Sequence, residues 1–361
     1  KIHPVNNATD VHWEALSMDA RGNLTGYQLD GTLKTLRSYD PATGLVESIK
    51  SSWLFGEAQD SRYQYDSLGN LLTRNNKIYM NASQATANQV NGQTFTYDGL
   101  NRIESWSTPT FDNIGTSRVQ TMSYYANGNI KVKPDIGTYT YGVQGSSCAV
   151  DPGPHAVSSI TGKGSYCYDA SGNMLSGDGK TLAYTSFDKP KSIHKGTGTS
   201  IQIEYGPSLA RYKRTDTVNG ETQTTWYLDR LYEKVSGTDG KMTERFFLGD
   251  FGIMERTASS TEGEHFDQTR YFLKDHVGSV LAIAEGGGNS LLQQFHYDVW
   301  GKREYVKVAS SQKQWDSFGL SGRQGFTGHE MLDSAGLIHM NGRVYDPELG
   351  RFVSADSIIQ D

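Results

Sequence analysis

The sequence predicts an all-β fold in which β-hairpins pair edge to edge into a curved, spiralling sheet. A short phrase built on an aromatic residue followed by Asp recurs along the chain, as in "YDSLGNLLT" from Tyr65 and "YDASGNMLS" from Tyr168. Turn formers and strand formers are abundant, with 40 Gly, 21 Tyr and 13 Phe among 361 residues. Long leucine-rich amphipathic stretches are absent, and a hydrophobic fraction of 36% is low for one large compact core.

Aligned on the aromatic-Asp step, the copies are "YDPATGLVESI" from Tyr39, the phrase at Tyr65, "YDGLNRIES" from Tyr97, "YYANGNIKV" around Tyr125, the phrase at Tyr168, "FDKPKSI" from Phe187 and "YDVWGKREYV" from Tyr297. The early spacings, between about 26 and 43 residues, fall in the range of stacked repeat architectures. Each copy reads as a hairpin. In "RYQYD" the alternation puts Tyr63 and Tyr65 on one face and Gln64 on the other. Asp66 can bond its own backbone two residues on, Gly69 supplies a positive φ, and Asn70 tolerates the same region. A single hairpin is marginal, so the copies must pair or stack before their aromatic faces are covered. A ribbon of this kind twists into a wall around space.

Residues 1 to about 200 carry the repeats. Residues 201 to 268 hold two strand-rich stretches, "TTWYLDRLYEKVS" and "ERFFLGDFGIMER", and the remainder differs in motif content. The chain therefore divides into a repeat region, 1–268, and a closing region, 269–361, without a break in the hairpin sheet.

A net charge of −6, from 34 basic and 40 acidic residues that are interspersed, disfavours nucleic acid as a partner. No apolar run approaches the roughly 18 residues of a membrane span, and the first residues lack a signal-peptide core, so a soluble fragment is expected. Cys148 and Cys167 either pair or stand as two thiols, and the weight falls on unpaired thiols.

Other candidate chemistry is weak. His329-Glu330 lacks the second His of a zinc helix, Asp333 standing four residues on, so no metal or cofactor is expected. His276 follows Asp275 and precedes Gly278-Ser279, but no nucleophile elbow accompanies it, and a hydrogen-bonded hairpin corner is the favoured reading. "EGGGNS" (285–290) reads as a flexible loop.

Taken with the repeats, "YFLKDHVGSVLAIAE" (271–285), "FHYDVWGKR" (295–303) and "GFTGHEMLDSAGLIHMNGRVYDPELGRFVSADSIIQD" (325–361) resemble the Rhs, or YD-repeat, proteins, relatives of Tc insecticidal toxin components and teneurins. The resemblance implies a hollow β-shell, or cocoon, of which this chain forms part, closed by an Rhs-associated core. It implies a shell that holds a C-terminal toxin polypeptide in cis until delivery from a bacterial cell, with secretion or delivery components as further partners. It also implies an aspartic-type self-cleavage for which the matching positions are Asp346, Asp356 and Arg343, with Arg351 and Asp361 as further candidates. Asp356-Ser357 departs from the family's Asp-Pro, and Asp346 before Pro347 also reads as a β-turn residue. A surface adhesin binding glycans on stacked tyrosines is a third reading.

Overall fold

The computed structural model of the chain describes residues 11–81, 89–109, 117–143, 148–238, 240–258, 265–308 and 323–356. Strands follow one another as an antiparallel meander. Nine run from Trp13–Met18 to Ser117–Thr121, five from Ser123–Tyr124 to Gly164–Ser165, and fourteen from Cys167–Tyr168 to Arg303–Val308. A four-stranded sheet from Glu330–Leu332 to Arg351–Phe352 completes the described chain. The strand His265–Lys274 crosses residue 268 within the third sheet.

Local chemistry of the recurring turn explains the meander. At Asp66 the backbone amide donates to the Asn70 carbonyl at 2.9 Å and the Gly69 amide donates to the Asp66 carbonyl at 3.1 Å. The Asp66 carboxylate accepts the amides of Leu68 and Asn70 at 2.9 and 2.8 Å, and the Asn70 side chain at 2.8 Å. Gly69 has φ 87°, so this is a tight turn closed by a bulge at a left-handed residue. Asn70 itself stays out of the left-handed region and serves as a tie to the Asp carboxylate, which corrects its expected role. The same closure recurs at Asp19, Asp98, Asp169, Asp275 and Asp298. At Tyr39 and Tyr345 the "YDPxxG" form makes a longer loop, in which Gly44 and Gly350 reach back to the carbonyls of Asp40 and Asp346 at 2.8 Å.

Two copies were framed differently by sequence. Near Phe187 the turn runs from Thr185 to Lys189, with Asp188 in the left-handed position (φ 58°) and Tyr184 as the leading ring. The hydroxyl of Thr185 replaces the carboxylate, accepting the Lys189 amide at 3.1 Å. Around Tyr125, that residue's backbone stands in the Asp position and Tyr124 supplies the ring. A further turn at Gly206–Ala210 carries Leu209 at φ 58°.

The tyrosine preceding each turn has a task that the sequence does not display. The ladder between Leu71–Ile78 and Gln89–Tyr97 ends with Thr73 opposite Thr94, leaving the Leu71 carbonyl beyond it. The Tyr97 hydroxyl donates to that carbonyl at 2.9 Å. The pattern repeats from Tyr39 to Leu24 (3.0 Å), Tyr65 to Val46 (3.1 Å), Tyr124 to Ile103 (2.7 Å) and Tyr141 to Ile130 (2.9 Å). It recurs from Tyr184 to Met174 (3.0 Å), Tyr205 to Pro190 (2.8 Å) and Tyr297 to Val280 (2.9 Å). In all eight the acceptor is the first residue past the preceding hairpin's turn, so these hairpins are bonded to the ones before them.

The first sheet lies against the third. Tyr27, Leu29, Trp53 and Ile78 pack with Tyr271, Leu273, Ala284 and Leu291. The four-stranded sheet is buried among the others: Leu332, Leu337, Val344, Leu349 and Val353 share a core with Trp106, Tyr139, Leu182 and Ile201, while Met331 and Ile338 meet Ile253 and Phe295. Cys148 and Cys167 form a disulfide with Cα atoms 5.2 Å apart, next to the junction of the second and third sheets. This corrects the expectation of two thiols; the fold brings residue 148 to the short strand Cys167–Tyr168, a proximity that spacing alone does not reveal. The segment 285–290 is a turn in place of the expected flexible loop. Its Gly288 amide donates to the Glu285 carbonyl at 3.3 Å, and the Gly287 amide donates to the Asp30 carboxylate.

Replacing Tyr97 with Phe keeps the ring and removes the hydroxyl. The expected loss is about 0.5–1.5 kcal/mol of unfolding free energy, toward the upper end because the Leu71 carbonyl is left unpaired. Urea denaturation of Tyr97→Phe against the parent chain measures it, and an unchanged midpoint contradicts the structural role of the hydroxyl.

Candidate functional site

The strand Arg343–Asp346 and the turn after it place the three sequence-predicted residues. Asp346 is buried. One carboxylate oxygen accepts the amides of Glu348 and Leu349 at 3.0 Å each, and the other lies 3.2 Å from the Lys180 ammonium. Lys180 also meets Asp178 at 3.2 Å, and Lys163 spans Asp178 (3.2 Å) and Glu348 (3.4 Å). Burial lowers the Lys180 pKa, but Asp346 and Asp178 outweigh it and hold the ammonium above its ordinary range. Asp346 therefore serves as a turn residue and as the anchor of a buried ion network.

Arg343 lies over the Phe352 ring at 3.8 Å and pairs with Asp356 at 2.9 Å, where Asp356 is half exposed. The structure thus brings Arg343 to Asp356 and gives Asp346 a different cation. Arg351 holds the repeats to the closing region by donating to the His155 carbonyl and the Asn129 side chain, both at 3.1 Å. Asp361 and Ser357 lie outside the described residues.

A second charged cluster was not singled out from the sequence. Glu330 is buried and pairs with Arg211 and Arg214; Arg323 stands 3.5 Å away and the Tyr227 hydroxyl donates at 3.1 Å. Arg214 also holds Asp216 at 2.8 Å. Burial pushes the Glu330 carboxyl up, but Arg211 and Arg214 overcome it and bring the pKa down to about 2. Neighbouring His339 is lowered to about 3, chiefly by burial and then by Arg211. The available signal was "RYKRTDTV", where Arg214 and Asp216 stand two apart and so share one face of a strand.

The weaker motifs resolve locally. His329 follows a short 3-10 turn, Glu330 begins a strand, and Asp333 pairs with Arg303 at 3.0 Å, so the geometry is not that of a zinc helix. Among the described residues, no group of three or more His, Cys, Asp or Glu is placed to hold a metal. The Asp275 carboxylate accepts the amides of Val277 (3.1 Å) and Ser279 (2.7 Å), and His276 lies tilted against the Tyr63 ring with centroids 4.3 Å apart. No described helix is long and apolar enough to cross a membrane.

The crystal structure of the TcdB2-TccC3-Cdc42 complex superimposes with a TM-score of 0.76 over 96% of this chain and 18% of that one, at 18% identity. The family model described as Teneurin YD-shell matches residues 265–361. The chain is a relative of the Rhs/YD-repeat shell proteins. Among sequence relatives, the tRNA3(Ser)-specific nuclease WapA of Bacillus spizizenii is 28% identical over 227 residues, 61% of this chain. Double-stranded DNA deaminase toxin A of Burkholderia cenocepacia is 24% identical over 354 residues, 98% of this chain. The chain spans 9% and 18% of the length of those two relatives.

The buried groups predict a pH profile with opposed limbs. Glu330 (ordinary value 4.5, folded about 2) and His339 (ordinary 6.5, folded about 3) take up protons more readily when unfolded, so stability falls as pH drops through 6.5 and again below 4.5. Asp298, pushed up by burial from 3.8 to about 7, contributes the other way: its stabilisation is complete below 3.8 and is lost as pH rises through 7. His276 and His296 are lowered by burial as well, and Asp333 is raised by it, so urea midpoints from pH 8 to pH 4 should show a smaller upper limb in Asp298→Asn and a smaller first acid limb in His339→Gln. Unchanged profiles contradict these assignments.

Proposed function

We propose that this chain is a section of the wall and closing region of a protein container that sequesters a downstream toxin polypeptide until it leaves the producing cell. One observation carries the reading. Relatives named for different reactions, a tRNA nuclease and a DNA deaminase, share this region although it amounts to 9% and 18% of their lengths. A segment common to two chemistries is suited to a carrier function. The net charge of −6 agrees, since it disfavours direct engagement of nucleic acid.

In this reading residues 1–268 supply wall and 269–361 supply closure. The polypeptide partner lies in cis, and secretion or delivery components act on the assembled container outside the producing cell. Dilute protease added to the full-length parent protein should spare the downstream polypeptide while the wall is folded and digest it once urea opens the wall. Digestion at equal rates in both conditions overturns the proposal.

A second reading, self-cleavage, is favoured by the Arg343–Asp356 pair at 2.9 Å, in which a cation meets a half-exposed carboxylate. Here Asp356 carries the chemistry, Arg343 positions it, and Asp346 braces the strand. In the full-length parent, Asp356→Asn should abolish release of a C-terminal fragment detected by mass. Release at the parental rate removes the enzymatic reading and leaves the container intact.

A further inference from the structure

The turn between Tyr141 and Val157 departs from the others. These two residues are register partners beside a bulge, as Tyr65 and Leu71 are, but residues 142–156 stand between the first pair and only 66–70 between the second. From Cys148 to Ala156 this enlarged turn contains no strand or helix. Contacts to other parts of the molecule hold it instead.

One end is cross-linked, Cys148 being joined to Cys167 with Cα atoms 5.2 Å apart. Cys167 has a place without that bond, since it pairs with Ser176 and the neighbouring Tyr166 amide donates to the Ser158 carbonyl at 2.9 Å. The cross-link therefore restrains the turn more than the strand. At the other end the His155 carbonyl accepts from Nη1 of Arg351 at 3.1 Å, and the Pro154 carbonyl accepts from the Asn129 side-chain amide at 3.0 Å. Oδ1 of Asn129 takes Nη2 of Arg351 at 3.1 Å and lies 2.9 Å from Nδ1 of His155. Arg351 in turn pairs with Asp346 in the last ladder of the four-stranded sheet. A main-chain carbonyl offers Arg351 its acceptor only while the turn keeps its path.

We propose that the Cys148–Cys167 disulfide is a redox latch: oxidised, it holds the enlarged turn against Arg351 and the last strand of the four-stranded sheet; reduced, it lets the turn withdraw and that strand open. A dithiol supplies the electrons. Its thiolate attacks the sulfur of Cys167, a half-buried residue where Cys148 is buried; the S–S bond breaks, and Cys148 leaves as a thiolate that takes up a proton. The second thiol displaces Cys167, so two electrons and two protons pass to the protein and the dithiol ends as a disulfide. Such a latch closes in oxidising surroundings and opens in reducing ones. It is a property of this chain and does not rest on the container reading.

The test compares hydrogen exchange at single amides in the oxidised chain and in the chain reduced by dithiothreitol, with thiols counted by labelling. The Val353 amide donates to the Val344 carbonyl at 2.9 Å and the Gly350 amide to the Asp346 carbonyl at 2.8 Å, so both report opening of the last strand. The Tyr79 amide, on the Ala58 carbonyl at 3.0 Å, reports the first sheet. Reduction should quicken exchange at Gly350 and Val353 at least about tenfold, and at Tyr79 less than about twofold. Arg351→Gln should quicken the same two amides in the oxidised chain, and reduction should then add less than about twofold, because both changes act through one contact. If Arg351→Gln fails to fold, a chain carrying Cys148→Ser and Cys167→Ser should exchange like the reduced parent without any reductant. A disulfide that resists reduction in the folded chain, unchanged exchange at Gly350 and Val353, an equal rise at Tyr79, or full additivity with Arg351→Gln overturns the latch.

Discussion

Successive hairpins are locked together by a phenol hydroxyl bonded to a carbonyl that the sheet ladder cannot reach. At the Asp66 turn a bulge breaks the register beside Tyr65, and the ladder to the next strand stops at Thr73 and Thr94, leaving the Leu71 carbonyl of the preceding hairpin beyond it. A buried carbonyl without a partner is expensive, and water is excluded by the packed rings. Tyr97 answers both needs, its ring covering apolar surface and its hydroxyl reaching the stranded oxygen. The Asp that follows closes its own turn, so the aromatic-Asp step joins a link to the previous hairpin with the fold-back that begins the next. Bending at each bulge adds twist in a constant sense, which is how a meander of short strands becomes a wall.

The wall's interior partner is held by different physics. Along the closing region, Glu330 meets Arg211 and Arg214, Arg303 meets Asp333, and Asp346 meets Lys180. Buried ion pairs add little net stability relative to well-packed apolar groups, but a misplaced partner leaves an uncompensated charge. Apolar contacts such as Val344 and Leu349 against Tyr139 and Leu182 supply cohesion. The ion pairs make sliding of the four-stranded sheet costly, since a shift of one residue exchanges its two faces.

How far the sequence revealed this depended on the distance over which each interaction acts. Turns at Asp66, Asp169 and Asp298 were legible because carboxylate, glycine and strand lie within a few residues. The frame slipped at Phe187 because Thr185 stands in for Asp and Asp188 stands in for Gly, so the visible aromatic-Asp pair sits three residues late. Tyrosine links were hidden because their acceptor is a backbone atom as many as 26 residues earlier, which any residue type can supply. The Glu330 cluster was hidden for the same reason at greater range, with Arg214 116 residues away. Of the three carboxylate-site residues, the turn role of Asp346 was legible, whereas the pairing of Arg343 with Asp356 depends on how the last strands fold back.

These two modes of attachment divide the molecule by what each can tolerate. A hydroxyl-to-carbonyl link reads only backbone on its accepting side, so the repeat array accepts sequence drift wherever the Tyr and the turn persist, except at residues such as Lys180, Arg211 and Arg214 that meet buried carboxylates. Identity of 18% alongside a TM-score of 0.76 is the outcome expected of such a wall. The closing region has no such freedom, because each ion pair requires two particular side chains from distant strands, and losing one leaves the other buried and charged. That constraint agrees with where the family model matches, residues 265–361, a span that includes Arg303, Glu330, Asp333 and Asp346 but little of the repeat array. One fold thus carries two regimes of constraint, a repeat array bonded through backbone and a four-stranded sheet bonded through paired side chains.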